Sequence, residues 1–313
     1  MSAPPVAIIA IDWGTSSLRA YALDAEGGIA ARREAELGIM AVKDNAFEAA
    51  LISVISDWLA AAPEADLIMS GMIGSRQGWL EAPYVSCPAD VRELSAGMAA
   101  LTLSDGRAAR IAPGLSTRDA AGVPDVMRGE EVQILGALEA IGNRPGLVCL
   151  PGTHSKWAHL DAGRVIDFST HMTGEVFDAL SQHTILARTM DAGSPEDDQA
   201  FEAGLARAAE GGGLTHQLFG IRAAGLFGEL SDATSRSFLS GLLIGHEVAD
   251  VLSNPLEKHK ESEVCLIGNA GLTSLYAKAL ALHGRSSRVL SPDVAANGLY
   301  RLSRAQRNEH GAR

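Results

Sequence analysis

The residues of this chain best suited to chemistry stand in a few short strings. Near the start an apolar run ends in Asp12-Trp13-Gly14-Thr15-Ser16-Ser17, and a second apolar run follows at once. A tight turn between two strands aims successive backbone N–H groups to one side; glycine admits an anion closely, and Thr and Ser hydroxyls add donors. Gly14, Thr15, Ser16 and Ser17 are therefore candidate phosphate ligands. Asp12, at the strand end, is placed to hold hydrated Mg2+, since hard cations favour carboxylates and water. Read alone, the string is also the polar tip of a plain hairpin. Residues 150–157 repeat the device: Gly152, Thr153 and Ser155 can form a second cradle, with Lys156 as a point charge. His154 reads either as a neutral hydrogen-bonding group or as a catalytic one. Two such hairpins favour phosphate binding over two ordinary turns.

Between them, Glu130 and Glu131 stand at the start of a predicted helix, where carboxylates also complement the helix dipole. Phosphoryl transfer needs a carboxylate to orient and deprotonate the accepting hydroxyl. Glu130 is the candidate base, with Glu131 and Asp125 as alternatives. At 265–280 a strand, a glycine-containing turn and a helix follow one another. Gly268, Asn269 and Gly271 could offer a flat surface to adenosine, although such junctions are common.

The elements that must position these groups are legible in part. Residues 6–11, 17–23 and 29–36 read as antiparallel strands. Asp44 can cap a helix whose apolar face is Phe47, Leu51, Val54, Ile55, Trp58 and Leu59, and a strand at 67–70 follows. The stretch 103–127, rich in Gly, Pro, Asp and Arg, reads as loop. A helix is expected from near Gly129, with Val132, Leu135, Leu138 and Ile141 inward, and 142–146 breaks it. Then strands at 147–150, 156–160 and 164–169 precede another helix, so the first arrangement recurs and implies an architectural duplication. Helices are expected at 196–210, 234–253, 271–283 and 292–308, with one strand at 263–268. The whole is an α/β fold with mixed sheets, divided into domains 1–142 and 143–313; the last helix could pack back on the first domain.

The 313 residues, 47% hydrophobic and 20% charged, suffice for a large core. A net charge of −12 argues against nucleic acid or anionic membranes as partners. The start has no basic n-region, and no apolar stretch is long enough for a membrane span. Cys87, Cys149 and Cys265 lie far apart without metal-ligand spacing, so reduced thiols and a cytoplasmic protein are expected.

The order of elements resembles the sugar-kinase/actin-type ATPase superfamily, whose two RNase H-like domains each carry a hairpin phosphate loop. Its Asp-x-Gly-Thr motif is similar to Asp12–Thr15, its pre-hinge segment to Gly129-Glu130-Glu131, and its second hairpin to Gly152-Thr153-His154. Its adenosine turn resembles Gly268–Gly271. The strings DWGTSSLRAY, SGMIGSRQGW, DVMRGEE and LPGTHSKW are more specific and closely resemble the 2-dehydro-3-deoxygalactonokinases over almost the whole chain. That resemblance implies an active site in the interdomain cleft, closing around ATP and Mg2+. It also implies phosphorylation of the terminal 6-hydroxyl of 2-dehydro-3-deoxy-D-galactonate, in galactonate breakdown. Two departures from the superfamily pattern stand out: glutamate replaces the usual aspartate base, and the adenosine turn lacks the adjacent glycine pair.

For an acidic substrate, Arg76 could grip the carboxylate as a fork, with Gln77 beside it and Trp79 on the carbon chain. Thr173 and Glu175 are further substrate candidates, Thr173 having helix capping as its alternative role. Another 2-keto-3-deoxy sugar acid as substrate, a non-catalytic sugar-acid sensor, and an ATPase that moves a partner are the competing readings. Monomer and homodimer are both allowed.

Overall fold

The computed structural model describes residues 5–142, 144–254, 262–291 and 293–311. The chain forms two compact units. One comprises Met1–Arg144, Leu160–Phe168 and Ser291–Arg313, and the other Pro145–His159 and Ser169–Leu290.

The first unit opens with β1 (Ile8–Trp13), β2 (Leu18–Leu23) and β3 (Ile29–Ala35), then α1 (Phe47–Ala61) and β4 (Asp66–Ser70). It continues through β5 (Tyr84–Ser86), α2 (Val91–Ala96), β6 (Ala99–Thr102), β7 (Ala108–Ile111), β8 (Gly114–Arg118), β9 (Pro124–Met127) and α3 (Glu130–Ile141). The main sheet runs β3-β2-β1-β4-β7-β6, and β5-β8-β9 form a second, smaller sheet. β1 is antiparallel to β2 and parallel to β4, so Asp12 lies opposite Arg19 on one side and Ser70 on the other. The helical stripe of α1 buries Phe47, Leu51, Ile55 and Leu59 against Ile9, Ile11 and Trp13 of the central strand. This is the 3.6-residue periodicity meeting the inward face of a strand.

Two expectations fail here. Asp44 does not cap α1: the N-cap is Ala46 with no side-chain bond, and Asp44 and Asn45 sit at φ +53° and +54°. Their short polar side chains tolerate that left-handed turn, which steers the chain into the helix. The predicted loop at 103–127 holds β7, β8 and β9. Each is four or five residues long; β7 and β8 pair with the distant β4 and β5, and β9 is held only through its hairpin with β8, so local composition did not reveal them.

The second unit contains β10 (Gly146–Leu150), β11 (Ser155–Asp161), β12 (Arg164–His171), α4 (Thr173–His183), α5 (Asp198–Ala209) and α6 (Leu214–Leu226). It is completed by α7 (Asp232–Ser253), β13 (Val264–Leu266), α8 (Ala270–Leu282) and β14 (Ser287–Val289). The far ends of β11 and β12, residues 160–168, group with the first unit. Its sheet order, β12-β11-β10-β13-β14, repeats the third-second-first-fourth order of β3-β2-β1-β4. The expected duplication is thus a duplication of topology. α6 follows the Gly211–Gly213 run and was not anticipated, its polar face giving a weak periodic signal. The chain ends in α9 (Val294–Gly311), which belongs to the first unit and packs on α3. Pro292, where the predicted C-terminal helix began, lies outside the described residues.

In both sheets the strand order reverses beside the first strand of the unit. The carboxyl ends of the parallel strands at such a point are the usual ligand position in α/β sheets. Those ends are Asp12 and Ser70 in one unit, and Leu150 and Leu266 in the other.

Candidate active site

In the first unit, the turn after Asp12 is closed by the Gly14 N–H donating to Ser17 O at 2.9 Å. It is tied down by Ile39 N–H to Gly14 O at 3.0 Å and by the Trp13 indole to Leu37 O at 2.7 Å. Thr15 and Ser16 remain exposed, with Ser17 half-buried.

Two glycines bring the start of α3 to this strand end. Gly71, at φ +92°, would place a Cβ 2.7 Å from Trp13 O and 3.4 Å from Asp12 Oδ1. Gly129, at φ +105°, would place one 3.1 Å from Gly71 Cα. Only glycine allows both the conformation and the approach. Glu130 is consequently close enough to act on Asp12. Burial lifts the Asp12 carboxyl to about 6, Arg19 opposes the rise, and Glu130 adds to it. The Arg19 guanidinium is 3.9 Å away.

The two glutamates of α3 differ in kind. Glu130 is half-buried, its Oε2 accepting the Arg128 N–H at 3.0 Å. Glu131 is fully buried. Its Oε2 accepts the Gly129 N–H at 2.6 Å and its Oε1 has no partner among the described residues. Burial first, and Glu130 second, push its carboxyl up to about 8. Asp125 lies on β9 and accepts the Val126 N–H at 2.7 Å. Of the three carboxylates proposed for the base, Glu130 is the one coupled to Asp12.

Asp12 suits a hard cation. Its charged form is disfavoured because burial outweighs Arg19, and a divalent ion would restore it. Among the described residues no group of three or more His, Cys, Asp or Glu could hold a metal. Phosphate oxygens and water would have to complete the coordination, as for Mg2+ carried by a nucleotide.

The segment after β4 is less obliging. The Arg76 side chain is 84% exposed and pairs with Glu81 at 3.0 Å, Gln77 is exposed, and Trp79 packs on the core of the unit. These residues are not gathered with Asp12 and Glu130 by any contact seen here.

In the second unit, the turn 152–154 is seated against α4. A Cβ at Gly174 would lie 2.5 Å from Gly152 O and 2.7 Å from Thr153 Cα. Glu175 N–H donates to Thr153 O at 3.0 Å, and His154 Nε2 meets Glu175 Oε2 at 2.5 Å. Thr173 is the first residue of α4 rather than its cap, which is Met172 with no side-chain bond. A glycine turn held against a helix N-terminus is a favourable place for phosphate. Gly152 has nothing within 4 Å of its absent Cβ, so its open face can accept an anion.

Beneath the turn, Ser155 Oγ lies 2.8 Å from the Tyr276 hydroxyl, which donates to Glu247 Oε2 at 2.7 Å. The Trp157 indole donates to Glu247 Oε1 at 2.6 Å. This buried network fixes the strand end. Lys156 is buried along β11 and donates to Thr170 Oγ1 at 2.7 Å.

Beside the turn opens a cavity of about 350 Å³ lined by Gly152, Thr153, Thr173, Phe177, Arg236 and Tyr276 among others. It has the size and the apolar walls of a small-molecule site. Leu272 and Leu275 of α8 line it. The preceding turn is exposed: Gly268 at φ +157°, and Asn269, which caps α8 by accepting the Gly271 N–H at 2.9 Å. Asn269 thus has a structural task whatever else it does.

A sequence model of the 2-keto-3-deoxy-galactonokinase family matches residues 12–302. The chain belongs to this family. It is 41% identical over 304 residues to a probable 2-dehydro-3-deoxygalactonokinase of Rhizobium meliloti (strain 1021), covering 95% of this chain and 96% of that one. It is 33% identical over 290 residues to the 2-dehydro-3-deoxygalactonokinase of Escherichia coli (strain K12), covering 92% and 94%. A crystal structure of a 2-dehydro-3-deoxygalactonokinase candidate from Sinorhizobium meliloti superposes with TM-score 0.84 at 39% identity, covering 96% of this chain and 99% of that one. The ADPNP-bound activator of 2-hydroxyisocaproyl-CoA dehydratase from Clostridium difficile, at TM-score 0.51 and 12% identity over 98% of each chain, shares the fold alone.

Reading by motif missed Gly71, Glu247, Tyr276, Phe177 and Arg236. Gly71 stood inside a quoted string, and a glycine directly after a strand is a signal of close approach. Tyr276 stood within the 265–280 segment and Phe177 one turn beyond the candidate Thr173, whereas Arg236 and Glu247 come from α7, which was read only as a helix.

Proposed function

We propose that this protein transfers the γ-phosphoryl group of ATP to the 6-hydroxyl of 2-dehydro-3-deoxy-D-galactonate, giving the 6-phosphate in galactonate breakdown. The observation that carries the proposal is the coupling of Asp12 to Glu130 through the Gly71–Gly129 contact in a member of this kinase family.

In this reading the second unit holds the nucleotide. Its cavity takes the nucleoside, and the Gly152–Thr153 turn with the N-terminus of α4 takes phosphate. In the first unit the exposed Thr15 and Ser16 are themselves phosphate-binding donors. Mg2+, held by Asp12 directly or through water, would neutralise phosphate charge. Glu130, held by the Arg128 N–H, accepts the proton of the attacking hydroxyl, a role worth about 10²–10⁴-fold in rate. The remaining acceleration is positioning and electrostatics, as for phosphoryl transfer generally.

ADP release with a panel of 2-keto-3-deoxy acids, galactonate-derived and gluconate-derived, tests the proposal. Stimulation by the galactonate-derived acid and phosphate on its terminal oxygen is the expected result. A panel in which no acid stimulates ADP release sinks it.

A further inference from the structure

Arg236 stands near the start of α7 and lines the cavity beside the Gly152–Thr153 turn. It is half-buried, and its Cζ sits 4.7 Å from the ring centroid of Phe177, which α4 contributes to the same cavity. Its guanidinium makes no hydrogen bond or ion pair with any described residue. Carboxylates are nonetheless close at hand, since Asp178, Glu196, Asp197 and Asp198 also line the cavity. Asp197 caps α5, and Asp198 pairs with Lys278 at 2.5 Å. The fold has thus set this cation on a ring rather than on an acid. One turn further along α7, Ser240 lines the cavity with a hydroxyl that has no partner among the described residues.

A guanidinium is flat and weakly hydrated, so one seated on a ring still has a second face for another π system. A nucleobase is such a partner, because every base has a π face. Charge separates the base from the phosphates it carries. The phosphates have their own donors at the Gly152–Thr153 turn and the N-terminus of α4. Of the described residues that line the cavity, Arg236 is the one cation against four carboxylates, a field that repels a polyphosphate and tolerates a neutral heterocycle. The rest of the lining suits the same occupant. Leu272 and Leu275 of α8 offer apolar contact, and the Ser240 hydroxyl can donate to or accept from the edge of a base. The volume, about 350 Å³, is that of a small-molecule pocket.

We infer that Arg236, seated on Phe177, stacks on the nucleobase and sets a preference for purine over pyrimidine nucleoside triphosphates. The inference rests on the kinase reading above and names the residue that recognises its nucleotide. The preference follows from size, since a purine covers more of the guanidinium face than a pyrimidine does. A cation in a nucleotide site could instead hold phosphate, and ligands carrying only one of the two groups tell these roles apart.

The test compares wild type, R236M and R236K, with adenosine and inorganic tripolyphosphate as inhibitors competitive with ATP. R236M keeps a long apolar side chain and removes the charge and the plane. The expected result is that R236M weakens adenosine, and raises KM for ATP, by about 3- to 30-fold. Tripolyphosphate should change less than about twofold, and the ratio of kcat/KM for ATP to that for CTP should fall. R236K keeps the charge without the plane and should lie between. Weakening of tripolyphosphate as large as that of adenosine would assign Arg236 to phosphate or to the shape of the site, and would overturn the inference. An unchanged inhibition constant for adenosine, or an unchanged ATP-to-CTP ratio, would overturn it equally. Should R236M not fold, the comparison of adenosine with tripolyphosphate in R236K decides by the same criterion. A wild-type protein in which no sugar acid stimulates ADP release refutes the kinase reading itself. Calorimetric titration of the same variants with adenosine and tripolyphosphate would still decide what Arg236 binds.

Discussion

Replacing Glu131 by glutamine should make the protein more stable, and increasingly so as pH rises. The side chain is fully buried with one oxygen unmet, and its carboxyl is lifted from 4.5 to about 8. Between those values the folded state holds a proton that the unfolded state has released. Stability of the wild type therefore falls as pH climbs through this window, by up to about 1.4 kcal/mol per pH unit from this group. The full interval amounts to on the order of 5 kcal/mol. Glutamine is neutral throughout, keeps an oxygen for the Gly129 N–H, and removes that slope. Denaturant unfolding of wild type and E131Q at pH 5, 6, 7 and 8 measures the difference. The curves should nearly meet at pH 5 and separate by a few kcal/mol at pH 8, with E131Q the more stable. Parallel profiles would show that Glu131 does not hold its proton in the folded state, and the account of this site would be wrong.

Other substitutions probe the remaining parts. E130Q should lower kcat by about 10²–10⁴-fold with KM for ATP nearly unchanged; steady-state kinetics showing near wild-type turnover would remove Glu130 from the role of base. At the second turn, G152A meets open space and should leave the melting temperature within a degree or two while raising KM for ATP. By contrast, G174A drives a Cβ to 2.5 Å from Gly152 O and should reduce both stability and ATP binding; calorimetry of the two variants side by side tests the distinction. Y276F removes the hydroxyl that joins Ser155 to Glu247 and should cost about 1–3 kcal/mol in unfolding free energy, the usual toll for a buried group left unpaired.

Much of this site was legible in the chain because the chemistry is local. A turn that presents N–H groups needs glycine and small hydroxyl residues in succession, and 12–17 and 152–155 carry them whatever surrounds them. Helix α1 was legible for a similar reason, since Phe47, Leu51, Ile55 and Leu59 repeat with the period of the structure they form. Its start was not: Asp44 looks like a cap, but Asp44 and Asn45 instead make a left-handed turn that depends on the path of the chain before them. The strands at 108–127 were invisible because they are short: β7 and β8 are fixed by the distant β4 and β5, and β9 by the β8 that those contacts place.

The sequence by itself determined which groups could do phosphoryl chemistry, and the repeated strand order that presents them. Tertiary structure decided which of those groups are buried, which are exposed and which lie together. Glu130 and Glu131 are neighbours of one type, yet helix geometry leaves one half-exposed beside Asp12 and buries the other. Arg76 and Arg128 are both arginines near glycines, and only packing distinguishes a solvated surface pair from a buried guanidinium with unmet donors. Side-chain type is written in the chain, but burial and the company a side chain keeps arise from contacts between segments far apart in it, and those set its charge and its task.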